Sequence, residues 1–206
     1  MKMLNEKATS KIFPEISVTL RKCPSEEDWL WVKQCTLNTV GKKLKSSTTE
    51  VAFEYKEKLL LAEHSPIREL WFGFRLEIPY WVSVHLVRHH IGCNHYVQTQ
   101  RNDRQTKYDR NNAPQGQIVS HIFSINAQEL VQLAHKRLCY QASPETREVV
   151  KLMCDEVIKQ CPEFKKLLVP LCIYRNGKCT EMFPCEKFKW SKNSNIDEEI
   201  NYEDNN

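Results

Sequence analysis

The sequence predicts an α+β fold, and three observations carry that prediction. Helical and strand-like segments follow one another irregularly, without the β-α-β rhythm of a doubly wound sheet. Residues 69–77 alternate without a break, with Leu70, Phe72, Phe74 and Leu76 on one face and Glu69, Trp71, Gly73, Arg75 and Glu77 on the other. Only five Gly occur in 206 residues, and none builds a Gly-rich phosphate loop, which sets aside P-loop and dinucleotide-binding folds.

The elements follow in order. Residues 1–15 read as a loose lead-in. Ile16-Ser17-Val18-Thr19-Leu20 alternates as a strand. Ser25 with Asp28 three residues on marks a helix start, and that helix runs to about Val40 with Trp29, Val32 and Cys35 inward. Ser47 with Glu50 repeats the capping pattern, and Val51, Ala52, Tyr55, Leu59 and Ala62 then share one stripe. After the strand at 69–77, Pro79 punctuates, and Tyr80 to His90 fits a short helix with Val84 and Val87 inward. Gln117 to Ile125 reads as a strand, and Asn126 to Leu138 as a helix burying Ala127, Leu130, Val131, Ala134 and Leu138. Ser143-Pro144-Glu145 is a strong helix start. Its helix reaches about Gln160 over Val149, Val150, Met153 and Val157.

A chain of this length with 41% hydrophobic residues suits one well-buried domain, residues 1–185. Residues 186–206 hold three Lys and six acids, and read as a disordered acidic tail. That leaves 27 basic and 20 acidic residues, +7, on the body. A modestly positive body suits a small anionic ligand. Its cations are not in runs, which makes nucleic acid an unlikely partner. No apolar stretch approaches membrane-spanning length, and the N-terminus lacks a signal-peptide core, so a soluble, cytoplasmic protein is expected. Nine cysteines then read as reduced thiols or metal ligands.

One stretch is written unlike a core element. Arg88 to Arg110 holds five Lys/Arg and three His against two acids, with Asn94, Gln98, Thr99 and Gln100 among them. Guanidinium forks bind phosphate bidentately and amides can read the rest of a ligand, so the stretch reads as a pocket for a phosphorylated molecule. The plainer alternative for Arg88-His89-His90 is a solvated helix end, where cations favour the C-terminal dipole.

The series Ser65-Pro66, strand 69–77, Arg88-His89-His90, Arg110-Asn111-Asn112-Ala113-Pro114, Asn126-Ala127-Gln128, Arg137-Leu138 and Ala142 with Glu145 and Arg147 resembles the flavin-dependent thymidylate synthases, the ThyX family. That family carries an Arg-His-Arg triplet at a helix end followed by a polar substrate loop. The resemblance spans about residues 60–165. It implies a ThyX-like fold, a central mostly antiparallel sheet flanked by helices, assembled as a homotetramer with shared sites. It also implies that Ser65, Arg88, His89, His90, Asn126, Gln128 and Gln132 contact FAD. His85, Arg88, Gln98, Thr99, Gln100, Arg101, Arg110 and Arg137 would bind dUMP. Arg137 would be the catalytic residue, a permanent cation favouring loss of the uracil N3 proton.

The implied reaction transfers a one-carbon unit from methylenetetrahydrofolate to C5 of dUMP, with NADPH reducing the flavin. The chain departs from the family at His85, His90, Gln128 and Gln141. Its substrate loop is either Gln98-Thr99-Gln100 in strict register or, as favoured here, Thr99-Gln100-Arg101 with one extra residue. These departures motivate a second expectation, a hydroxymethylating or methylating relative acting on dUMP or dCMP. A third comes from the cysteines. Cys139, Cys172, Cys179 and Cys185 could supply four thiolates to a structural zinc, in a nucleotide- or nucleic-acid-binding protein without catalysis. Small buried hydrophobes are the simpler reading of the same residues.

Overall fold

The computed structural model describes residues 1–104 and 109–185, so the tail expected at 186–206 lies outside the described residues. Five strands form one sheet: β1 (Lys2–Thr9), β2 (Ser17–Cys23), β3 (Trp71–Pro79), β4 (Cys93–Val97) and β5 (Ile118–Asn126). Their order is β1-β2-β3-β5-β4, and every neighbouring pair is antiparallel. Helices α1 (Glu26–Asn38), α2 (Phe53–Leu61), α3 (Tyr80–Leu86), α4 (Ala127–Arg137), α5 (Pro144–Gln160) and α6 (Leu171–Tyr174) accompany it. This is the α+β architecture the sequence predicts.

The register shows why β3 and β5 are central. Phe72 lies opposite Ile125, Phe74 opposite Phe123, Leu76 opposite His121 and Ile78 opposite Val119. All eight are buried, with Val18 and Leu20 of β2 continuing the same face. The other face carries Arg75, Ile122 and Tyr96, all exposed, so the sheet is covered on one side only. The helices supply the covering. α5 packs Val149, Val150, Met153 and Val157 into the core, and α4 adds Ala127, Leu130, Val131 and Ala134, as their periodicity predicts.

Four expectations are corrected. Residues 2–9 are no lead-in but an edge strand. Its links to β2 run through backbone, so it needs no apolar alternation, and Lys2 and Lys7 suit an edge. Helix α2 starts at Phe53 with Ala52 as N-cap, not at Ser47. Glu26 of α1 takes the Val51 N–H and holds the buried Val51 outside the helix. Helix α3 ends at Leu86 and turns Val82 and Leu86 inward, leaving Val84 half-buried and Val87 exposed. The polar stretch after Arg88 contains strand β4. The Ser25–Asp28 capping pattern does form, with Ser25 N–H donating to Asp28 Oδ2 at 2.7 Å.

Candidate active site

The basic triplet follows directly on α3, where the chain turns back to enter β4. The His89 N–H closes the helix end on Leu86 O at 3.0 Å, and His90 Nδ1 donates to the Arg88 carbonyl at 3.1 Å. Arg88 and His90 are exposed, whereas His89 faces inward. Gly92 then holds the turn against α4: its carbonyl accepts the Asn126 N–H at 2.9 Å. Its φ of +69° is left-handed, and a Cβ there would lie 2.4 Å from Asn126 Nδ2. Only glycine fits this junction.

Helix α4 brings the other half of the site. Asn126 caps it, accepting the Glu129 N–H on Oδ1 at 3.0 Å. Glu129, Leu133 and Arg137 follow at intervals of four, on one stripe facing His89. His89 Nδ1 lies 2.8 Å from Glu129 Oε1, and Arg137 Nε donates to His89 Nε2 at 3.3 Å. A guanidinium can only donate, so Nε2 must accept and Nδ1 must carry the hydrogen that goes to Glu129. The result is a directed chain, Arg137 to His89 to Glu129, beside the exposed Arg88 and His90. Arg88, His89, Asn126 and Arg137 are thus gathered as expected.

Glu129 was not anticipated: an Asn followed three residues later by Glu marks a helix start, but the Glu129 carboxylate turns to His89 instead of back to the N-cap. Gly92, one of five glycines and two residues past the triplet, was also legible in principle. Cys93 borders the site, and burial pushes its thiol up to about 12, with the Glu129 carboxylate adding to the effect. At neutral pH it is no nucleophile.

Other expected contacts are committed elsewhere. Gln128 Nε2 donates to Glu63 Oε2 at 2.6 Å, and Glu63 Oε1 also accepts the Tyr174 hydroxyl at 3.0 Å. Gln128 therefore ties α4 to the segments before β3 and at α6. His85 Nδ1 pairs with Thr146 Oγ1 at 3.0 Å, which joins α3 to α5. Gln98 extends the β4 ladder, its N–H on Ser120 O and its Oε1 accepting the Ser120 N–H. Thr99 Oγ1 accepts the Arg101 N–H at 3.2 Å, and Arg101 forks onto Asp103 at 2.9 and 2.6 Å. The hydroxyl and guanidinium of the favoured loop register are thus held in a local turn. Gln100 is half-buried. Ser65, Gln132 and Arg110 are exposed, and the Arg110 N–H donates to Asn102 Oδ1 at 3.1 Å.

The four cysteines expected to hold zinc do share a neighbourhood. Gln141 Nε2 donates to Phe183 O at 2.6 Å, which brings the segment of Cys185 to that of Cys139. Burial and the neighbouring thiols push Cys139 and Cys172 up. Yet among the described residues no three His, Cys, Asp or Glu side chains are placed to hold a metal ion, and all four cysteines are free thiols. The zinc expectation finds no support in this arrangement, in which Cys139, Cys172 and Cys185 are half-buried and Cys179 is exposed.

The antiparallel sheet with the triplet turn packed on α4 defines an α+β protein of the ThyX fold. The chain is similar in fold to a UMP/dUMP methylase, PolB, from Streptomyces cacaoi, solved with 5-Br dUMP. That likeness has a TM-score of 0.55 at 14% identity, over 73% of this chain and 94% of that one. Residues 108–163 match the family model described as thymidylate synthase complementing protein, Thy1. No curated protein matches the chain. The segment match covers β5, α4 and α5, and the likeness to the methylase is one of fold. Among the described residues no helix is long and apolar enough to cross a membrane.

Proposed function

We propose that this chain is a thymidylate synthase-like methyltransferase of the cytoplasm. It binds dUMP and FAD and transfers a one-carbon unit from methylenetetrahydrofolate to C5 of the nucleotide, giving dTMP, with NADPH as reductant. The observation that carries this reading is the Arg137–His89–Glu129 chain set beside the exposed Arg88 and His90. The matching family segment and the fold shared with a dUMP-binding methylase support it.

The donor set fits a phosphate-bearing cofactor in part. Arg88, His90, Ser65 and Gln132 are exposed and can donate or accept, while Asn126 and Gln128 are engaged within the chain. Bound flavin would supply the reducing equivalents, so the reaction calls for no cysteine nucleophile. The chain's own residues hold and polarise the nucleotide. Arg137 spends its Nε on His89 and keeps its terminal nitrogens for a ligand, where a fixed cation stabilises a uracil ring that has lost its N3 proton. Glu129 fixes the His89 ring, and with it the direction of the guanidinium. Arg88 and His90 offer charge to a phosphate.

The test is the absorbance spectrum of the protein titrated with FAD, followed by product mass after incubation with dUMP and with dCMP. A flavin spectrum and a methylated dUMP are expected. A hydroxymethyl product would favour the variant chemistry. Colourless protein that takes up no FAD, with both nucleotides unmodified, would sink the proposal. Arg137→Ala should abolish turnover, a loss of about 10²-fold or more, while flavin stays bound.

A further inference from the structure

Two histidines outside this chain of contacts are also aimed at the triplet. His95 on β4 and His121 on β5 lie on the covered face of the sheet. His95 Nε2 is 2.6 Å from the carbonyl oxygen of His89, and His95 Nδ1 is 3.0 Å from His121 Nε2. The His95 ring stacks on Phe123 at 4.5 Å between centroids, which sets its plane. His121 is fully buried, and among the described residues its Nδ1 has no hydrogen-bond partner.

Elementary chemistry fixes the hydrogens. A carbonyl only accepts, so His95 Nε2 must donate to it. A neutral imidazole has one N–H, so His95 Nδ1 accepts, and His121 Nε2 must be the donor. His121 Nδ1 is then the bare nitrogen at the closed end, and an unpaired acceptor is tolerated there more readily than an unpaired donor. A proton added to either ring would break the relay. On His95 it would set two N–H groups against each other; on His121 it would bury a donor with no acceptor.

We propose that His121 and His95 form a directed hydrogen-bond relay that clamps the His89 carbonyl, making His95 a positioning residue for the Arg88-His89-His90 turn. This deepens the reading of that turn as the anion-binding part of the site. The His89 side chain is held from α4 by Glu129 and Arg137, and its backbone is held from the sheet by His95. The turn is gripped from both layers, so Arg88 and His90 can present fixed charges while remaining exposed. Burial lowers the proton affinity of both relay imidazoles, which keeps the relay neutral and intact in mildly acidic solution. The groups facing the pair are each other, His89, and beyond it Glu129, Arg137 and Cys93.

The experiment compares His95→Gln and His95→Leu with the parent chain. Gln offers one acceptor and one donor and can restore both contacts; Leu can restore neither. Nitrogen-15 NMR of the parent should show both rings as the Nε2–H tautomer, each taking up its second proton at lower pH than a free imidazole. Amide exchange at residues 88–92 should be faster in His95→Leu and near the parent rate in His95→Gln. Binding of dUMP should weaken about tenfold in His95→Leu and recover in His95→Gln. A His95 Nδ1–H tautomer, or exchange at 88–92 unchanged in His95→Leu, would overturn the relay. If the parent itself binds no dUMP, the proposed function fails while the NMR and exchange results still decide the relay.

Discussion

Gly92 shows how much can rest on one residue. It joins the triplet turn to the N-cap of α4, and any side chain would need both a left-handed backbone and the space held by Asn126. Gly92→Ala should cost about 1–2 kcal/mol from the backbone alone, read as a lower urea midpoint at unchanged slope. The displaced Asn126 should weaken nucleotide binding as well. Cysteine chemistry gives a second residue-level outcome. With its thiol near 12, Cys93 should resist iodoacetamide at pH 8, while the exposed Cys179 is alkylated first; peptide mass mapping over time reads the order. The grouping of Arg88, His89, Asn126 and Arg137 was legible in the sequence because these residues fall in the series that resembles the ThyX family. Glu129, Glu63 and His95 were not, because an acid or imidazole in a helix or strand pattern gives no hint of the partner folded against it. The pairing of Gln128 with Glu63 and of Arg101 with Asp103 depends on such partners.

At the scale of elements, the sequence was most readable where one face is apolar. Strand β3 and helices α4 and α5 bury their predicted stripes because the core selects them. The edge strands escaped for the opposite reason: β1 and β4 are held by backbone pairing and send few side chains, such as Leu4 and Cys93, to the core. Strand β5 nonetheless buries one polar side chain in its apolar row, His121, opposite Leu76. That placement gives the fold an acid sensitivity. Burial holds the His121 imidazole at about 4, against 6.5 when free, so the unfolded chain binds a proton between those values that the native chain refuses. Stability is therefore full above pH 6.5 and falls as pH drops toward 4, by about 3 kcal/mol for this group. His95 and His135, also lowered by burial, act in the same sense. Asp155 and Glu163, raised by burial, act oppositely, since the native chain gains protons there first. Comparing His121→Gln with the parent isolates the imidazole. Urea unfolding from pH 7.5 to 4.5 should show a shallower loss in the variant, and parallel curves would refute the assignment.

For the molecule as a whole, one open face remains to be explained. The uncovered side of the β5–β4 edge sets Ile122 against Tyr96, and these are 50% and 65% exposed. Val87 and Ile91, also exposed, lie on either side of the triplet in the sequence. Large apolar side chains gathered on an antiparallel sheet face are costly to leave in water, at about 25 cal/mol per Å². A second copy of the chain packed on this face would take Ile122 and Tyr96 out of water. The homotetramer implied by the resemblance would need such a face, and one measurement separates assembly from folding. Tyr96→Glu with Ile122→Lys places charge on solvent-facing positions of the isolated chain, so circular dichroism and the urea midpoint should change little. Light scattering should nonetheless report smaller particles than the parent forms, and dUMP turnover should fall with them. An unchanged particle mass would assign the face to solvent, and the site would then have to be completed within a single chain.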